Sequence, residues 1–297
     1  MLPGIVDAHP SLPPRLGNVA HTESSFTGKY GTRIDYDVWT PDGEPRAVLV
    51  LAHGFGEHAR RYDHVVERLL GLGLVVYAPD HRGHGRSGGR RVELKDWSDF
   101  TDDLGRLFGI ATAEHPGLDR YLLGHSMGGA IALTYALDHP GDLAGLILSA
   151  PAVDVTTGVP KVVVEVGKFL GRYAPRVPVE SLDANLVSRD PAVVAAYNSD
   201  PLVHHGRVPA GIARGMIVNA ESLPNRLPTL QVPLLLLHGS EDGLANVNGS
   251  RMIADIVGSQ DLTYTEYDGL FHEVFNEPER EQVLDDVVEW LGSRLKG

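Results

Sequence analysis

Five short apolar runs with no polar partner face recur along the chain: Ala47-Val48-Leu49-Val50-Leu51-Ala52, Leu74 to Ala78, Tyr121 to Leu123, Gly145 to Leu148 and Leu234 to Leu237. A strand wetted on one face alternates polar with apolar residues, so an unbroken run predicts a strand covered on both faces, as in a parallel sheet between helices. A sixth, mixed run lies at Leu262 to Tyr267. Helical spacing fills the intervals at about 62 to 70, 97 to 114, 127 to 138, 248 to 257 and 279 to 295, and an alternating stretch at about 24 to 40 predicts a leading hairpin that ends at Pro41-Asp42-Gly43. The expectation is an α/β fold, a mostly parallel central sheet flanked by helices. The rhythm breaks once, from Pro151 to about Pro233, a stretch much longer than a strand-helix connection needs. It is expected to be a helical lid on the sheet. The domain reading is a core of residues 21–150 and 230–297, a cap of residues 151–229, and a flexible extension or leader of residues 1–20.

Composition narrows the chemistry. The 297 residues include no Cys, which excludes a disulfide scaffold, a thiolate metal site and a cysteine nucleophile. With 39 Asp+Glu against 26 Lys+Arg, the chain is a poor partner for a phosphate backbone, so no nucleic acid is expected and a neutral or lipid substrate fits better. No window approaches the roughly 20 apolar residues of a bilayer span. The N-terminus has no basic residue before Arg15 and is broken by Pro3, Pro10, Pro13 and Pro14, unlike a signal peptide. A cytoplasmic or peripheral membrane location is expected.

Two segments match G-x-S-x-G, at 85–89 and 124–128. A serine nucleophile on this motif needs a strand, a sharp turn and a helix. Ser126 has them: Tyr121-Leu122-Leu123 feeds the turn, and Gly129 to Leu133 continues as a helix. Ser87 sits in a Gly-rich loop without either flank. The same loop spells G-x-G-x-x-G with Gly83, Gly85 and Gly88, but Asp80-His81-Arg82 separates it from the strand, and Asp103 falls in a helical pattern where a dinucleotide site needs a strand end. A tight loop is the better reading.

A serine nucleophile requires a base and an orienting acid, which follow it in that fold in the order Ser, acid, His. The loop after Leu234 to Leu237 reads Gly239-Ser240-Glu241-Asp242-Gly243, which offers Asp242, with Glu241 as the fallback. His272 lies between the last strand and the last helix, downstream of both. An H-E-x-x-H metal motif starting there fails because position 276 is Asn. No metal and no cofactor are expected. His53-Gly54-Phe55-Gly56 follows the first buried strand, so the backbone amides of Phe55 and Met127 are the expected oxyanion donors.

With this triad order, the span from about 24 to 295 resembles the monoacylglycerol lipases of the α/β-hydrolase superfamily. The resemblance rests on H-G-F-G-E-H at 53–58 with Arg61-Tyr62, D-H-R-G-H-G-R-S at 80–87, G-H-S-M-G-G at 124–129 and Y-N-S-D-P-L at 197–202. It implies an α/β-hydrolase fold and hydrolysis of a monoacylglycerol to glycerol and a fatty acid without a cofactor. It also implies that Glu57 and Arg61 hold the oxyanion loop and form the alcohol end of the pocket, with Tyr197 near the leaving glycerol. Vertebrate members of that family carry a second His where this chain has Phe275, and reactive lid cysteines that this chain lacks. A related carboxylesterase, lysophospholipase or acyltransferase would share the triad. A non-catalytic lipid-binding protein of the same fold and a nucleotide oxidoreductase are the readings from other classes.

In the insertion, Lys161, Glu165, Lys168 and Arg172 share one helical face over Val159 to Arg172. The remainder carries Val162, Val163, Val164, Val166, Phe169 and Leu170. This face is expected either to touch a lipid interface transiently or to be buried against the core or against a second copy in a homodimer.

Overall fold

The computed structural model describes residues 20–295. The expected extension lies outside the described residues except for Ala20, which is already in a strand. In chain order the elements are β1 (Ala20–Thr27), β2 (Arg33–Thr40), β3 (Ala47–Ala52), α1 (Asp63–Leu70), β4 (Leu74–Pro79), α2 (Ser98–Glu114), β5 (Asp119–His125), α3 (Met127–Asp138) and β6 (Gly145–Ser149). After them come α4 (Lys161–Tyr173), β7 (Pro178–Glu180), α5 (Pro191–Ser199), β8 (Val208–Pro209), α6 (Ala210–Arg226), β9 (Leu234–Gly239), α7 (Val247–Ile256), β10 (Leu262–Tyr267) and α8 (Arg280–Gly292).

Eight strands form one sheet in the order β1-β2-β4-β3-β5-β6-β9-β10. The pairs β1–β2 and β2–β4 are antiparallel, and every other neighbour is parallel. The fully apolar runs are accounted for by two cores that take alternate residues of the same strands. Val48, Val50, Leu122 and Leu236 face one core together with residues of α2 and α3, whereas Leu49, Leu51, Leu123 and Leu237 face the other with residues of α1 and α8. Burying one such side chain is worth about 1.5–3 kcal/mol, so each of these strands is held from both sides. The mixed run at 262–267 pairs in parallel with β9 as the last strand, and its part-exposed residues reflect that edge position.

Between β6 and β9 lie α4, α5 and α6, together with a small antiparallel ladder of β7 with β8. The ladder departs from the all-helical expectation. Its strands of 3 and 2 residues are too short to leave a periodic signal. The second half of this stretch is built into the sheet's own core, because Val208, Ile212, Leu223 and Leu227 belong to the cluster under α2 and α3. Its first half is different. In α4, Val162, Val163, Val166, Phe169 and Tyr173 are all more than half exposed, so burial of that face against the hydrolase core is ruled out. The side that packs lies between the charged and the apolar faces, along Val164, Gly167, Lys168 and Gly171, while Lys161, Glu165 and Arg172 stay exposed: Lys168 reaches Glu221 on α6 at 2.9 Å, and a Cβ on Gly171 would overlap the backbone of Ala210 and the side chain of Arg214. Among the described residues no helix is long and apolar enough to cross a membrane.

Candidate active site

Ser126 stands between β5 and α3 at φ +55°, ψ −119°. A non-glycine residue there costs on the order of 1–3 kcal/mol and persists only where its surroundings fix it. Here the Ser126 amide donates to the Ser149 carbonyl at 2.9 Å, and the Ser126 carbonyl accepts from Ala130 at 3.1 Å and Ala152 at 3.0 Å. Gly124 and Gly128 allow the turn to close. A Cβ on the first would overlap the Gly128 carbonyl, and one on the second would overlap the carbonyls of Ala52 and His53. The elbow therefore sits against the end of β3, where the expected oxyanion loop begins.

Asp242 follows β9 in a turn that its own Oδ1 organises by accepting from Leu244 and Ala245, both at 2.8 Å. Its Oδ2 accepts from His272 Nδ1 at 2.7 Å and from His238 Nε2 at 3.0 Å. His272 Nε2 lies 2.9 Å from Ser126 Oγ. With Nδ1–H given to the carboxylate, Nε2 is left to accept the serine proton. The structure thus brings Ser126, His272 and Asp242 together, while the fallback Glu241 is exposed and lies outside this chain of contacts. Burial favours the neutral carboxyl at Asp242, but His272 and His238 outweigh it and hold Asp242 well below the usual carboxylate range. Burial likewise opposes protonation of His272, and the charge of Asp242 reverses this, raising the imidazole above its ordinary 6.5.

Phe55 lies in the loop after β3, and this loop runs beside the nucleophile: a Cβ on Gly54 would be 3.2 Å from the Ser126 Cβ. Met127 is the first residue of α3, so its amide belongs to the helix turn whose N–H groups lack intrahelical acceptors. Glu57 holds the loop. Its Oε1 accepts from the Gly54 amide at 2.6 Å and from Tyr62 Oη at 2.7 Å, and its Oε2 accepts from Arg61 at 2.6 Å. Arg61 also makes two bonds of 2.7 Å to Glu273, and its guanidinium lies 4.8 Å from the centre of the Tyr197 ring. Burial, with the carboxylates of Glu57 and Glu273 adding to it, pushes the Tyr197 phenol up to about 12.

Glu273 escaped the reading of the sequence, where it counted only as the second letter of a failed metal motif. Nothing local marks it, since its partner Arg61 is 212 residues away. His238, at the end of β9 and only four residues before Asp242, was also missed. Its ring bridges Asp242 and Ser250, whose Oγ is 2.7 Å from Nδ1. Ser87 is buried within its loop, donating to the Asp80 carbonyl at 2.5 Å and accepting from the Asp35 amide at 2.8 Å. Asp103 lies within α2 and pairs with Arg82 at 2.7 Å, away from any strand end. One group of potential metal ligands occurs among the described residues, His21, Glu23 and Asp37, and Arg86 pairs with both of its carboxylates.

Ser126 and His272 open into a cavity of about 470 Å³, within the range of small-molecule sites. Its lining includes Glu57, Tyr197 and Glu273, which Arg61 brings together, and apolar residues such as Val155, Leu182, Met216 and Ile217. A larger groove of about 870 Å³ between α2 and α3 is lined by none of the three triad residues.

The family model described as "Serine aminopeptidase, S33" matches residues 43–279. A monoacylglycerol lipase of Mycolicibacterium smegmatis is 56% identical over 274 residues, covering 92% of this chain and 98% of that protein. A monoglyceride lipase of Homo sapiens is 37% identical over 262 residues, covering 86% of each. Among solved structures, the monoacylglycerol lipase of Paleococcus ferrophilus superposes with a TM-score of 0.78 at 31% identity, covering 93% of this chain and 99% of that one.

Proposed function

This chain belongs to the monoacylglycerol lipase family of the α/β-hydrolase superfamily, and from that membership and the site geometry we propose that it hydrolyses monoacylglycerol to glycerol and a free fatty acid through an acyl-enzyme intermediate. The observation that carries the reading is the unbroken chain Ser126–His272–Asp242, with contacts of 2.9 and 2.7 Å, at the wall of a cavity lined by both polar and apolar side chains.

Ser126 Oγ attacks the ester carbonyl as His272 Nε2 takes its proton, and Asp242 stabilises the resulting imidazolium. The amides of Phe55 and Met127 donate to the developing oxyanion. His272 returns the proton to the departing glycerol oxygen, leaving Ser126 acylated. Water then attacks the acyl carbonyl as His272 takes its proton, and His272 returns that proton to Ser126 Oγ as the fatty acid departs. The acyl chain lies toward Met216 and Ile217, and the glycerol lies toward Glu57, Arg61 and Tyr197. Residues 151–229 act as the cap, and the exposed apolar face of α4 rests on aggregated substrate. That face is also the surface a second copy would cover in a homodimer.

The test is Ser126→Ala assayed on monoacylglycerol, diacylglycerol, lysophospholipid and a short p-nitrophenyl ester, together with labelling of the wild type by a fluorophosphonate. Removal of the nucleophile should cost on the order of 10⁶ in turnover and abolish labelling, with monoacylglycerol the best long-chain substrate of the wild type. Wild-type protein that is neither labelled nor active is a binding protein; preference for lysophospholipid moves the reading to that esterase class.

A further inference from the structure

The loop that carries Phe55 is pinned from two directions. From the core side, the Ala59 amide donates to Asp80 Oδ1 at 2.9 Å, and within the loop the Gly54 amide donates at 2.6 Å to Glu57 Oε1, which Tyr62 Oη also holds. From the insertion side, the segment between α5 and β8 reaches across. The His204 amide donates to the Gly56 carbonyl at 2.6 Å, and His58 Nε2 donates to Asp200 Oδ2 at 2.9 Å over a separation of 142 residues. The Phe55 ring is held between His84 and His204, both edge-on, at 5.8 and 6.0 Å between centroids.

These contacts have a directional consequence. The peptide preceding Gly54 is fixed through its N–H by Glu57 of the same loop, itself held by Tyr62 and Arg61, and the peptide following Gly56 is fixed through its carbonyl by the insertion. The Phe55 N–H belongs to a peptide lying between these two, so its direction depends on both anchors. Asp200 sits where the second anchor is organised. Its Oδ1 accepts from the Leu202 amide at 2.8 Å and shapes the Asp-Pro-Leu turn leading to His204, while its Oδ2 holds His58, whose side chain is almost wholly buried. Burial opposes ionisation of Asp200, but the hydrogen bond from His58 outweighs it and lowers the carboxyl below its ordinary value.

We propose that Asp200 is a positioning residue: by tying His58 to the 200–204 turn it seats that turn on the oxyanion loop and aims the Phe55 amide at the reacting carbonyl. The proposal rests on the assignment of Phe55 as an oxyanion donor. It makes this part of the insertion a component of the transition-state site as well as a cover over it.

Asp200→Ser isolates the contact, because a serine hydroxyl still accepts from the Leu202 amide but is too short to reach His58. Asp200→Asn keeps both partners, since its carbonyl accepts from Leu202 and its amide donates to Nε2 of the other His58 tautomer, whose Nδ1 has no partner now. Loss of an oxyanion donor costs about 10²–10³ in kcat and misdirection costs part of that, so Asp200→Ser should lower kcat on a short soluble ester about 10–100-fold. KM should stay within about twofold. A trifluoromethyl ketone, which forms a tetrahedral adduct with Ser126, should bind more weakly by the same factor as kcat falls, while a non-reactive ether analogue of monoacylglycerol keeps its affinity. Asp200→Asn should recover most of the loss.

Equal weakening of ketone and ether, or an unchanged kcat in Asp200→Ser, would overturn the positioning role. If Asp200→Ser does not fold, His58→Ala breaks the same contact from the other side and is read by the same ketone-to-ether ratio. The hydrolase reading fails separately, by activity persisting in Ser126→Ala.

Discussion

Asp242 divides its two oxygens between tasks: Oδ1 closes its own turn on Leu244 and Ala245, and Oδ2 faces His272. In Asp242→Asn the amide that replaces Oδ2 would meet the Nδ1–H donor with another donor, so the imidazole is left in the wrong tautomer. Turnover should fall by on the order of 10⁴. Glu241→Gln, at an exposed position beside it, should change turnover less than about threefold; the reverse ranking on a p-nitrophenyl ester would make Glu241 the acid. The pH profile belongs to the same pair. Only neutral His272 accepts the serine proton, and Asp242 raises the imidazole above 6.5, so the acidic limb of kcat/KM should be centred above 6.5 and move to lower pH in Asp242→Asn. Ser87 is the contrasting serine. Ser87→Ala strands the buried Asp35 amide without touching the triad, so it should cost about 1–3 kcal/mol of stability and leave kcat within a few-fold. A loss of kcat without a lower melting temperature would contradict that structural role.

At the scale of elements, the strand-turn-helix of β5 and α3 was legible because its requirements are local. An apolar strand, Gly124 and Gly128 flanking Ser126, and an apolar helix lie within a single stretch of 121 to 133. The helix α4 was legible only by halves. Its sequence shows which residues share a face, but the side that meets α6 is neither of the two it marks: it runs along Gly167, Lys168 and Gly171 and is set by the remote Glu221 and Ala210. The exposed face makes a prediction at this scale. Phe169→Ser and Val163→Ser remove apolar surface that touches solvent in the monomer, so the melting temperature should stay within about 1–2 °C, in line with substitutions outside the core. Hydrolysis of a soluble ester should be unchanged and that of long-chain monoacylglycerol vesicles should fall several-fold. A drop in both activities would remove the lipid contact, and a concentration-dependent change in mass between wild type and variant would assign the face to a second copy.

Across the whole molecule, the least ordinary feature of the interior is its histidines. His53, His81 and His84 cluster behind the oxyanion loop, with His53 at 4.4 and 5.5 Å from the other two ring centroids, and His125 lies 4.7 Å from His272. Burial, reinforced by neighbouring imidazoles, pushes His81 and His125 down to about 3, His84 down to about 4, and His53 well below its ordinary value. The local bonding agrees for His53, whose Nε2 accepts from the His81 amide at 2.9 Å and so carries no proton. Their folded values lie below the unfolded 6.5. The unfolded chain therefore binds protons that the folded chain refuses, and the stability this contributes is complete above about pH 6.5 and is lost as pH falls toward about 3. At pH 5.5 His64, which burial also pushes down, adds to these four, whereas His272, raised by Asp242, does not. Unfolding there should take up at least about three protons, measured from calorimetric enthalpies in buffers of different ionisation heat. An uptake below about one proton would mean that these imidazoles are charged in the folded protein.

The sequence by itself determined the alternation of buried strands and helices, the elbow around Ser126, and the order of Ser126, Asp242 and His272 along the chain. Each is written in contiguous residues, since a strand covered on both faces must be apolar throughout and a sharp turn must carry glycine where backbones meet. Tertiary structure alone decided what joins the loops: Arg61 to Glu273 and His58 to Asp200. It alone decided which side of α4 faces water. The physical reason is common to all three. A charged or polar side chain in a loop has no periodicity to betray its partner, and an amphipathic helix states that it has two faces without stating what will lie against either.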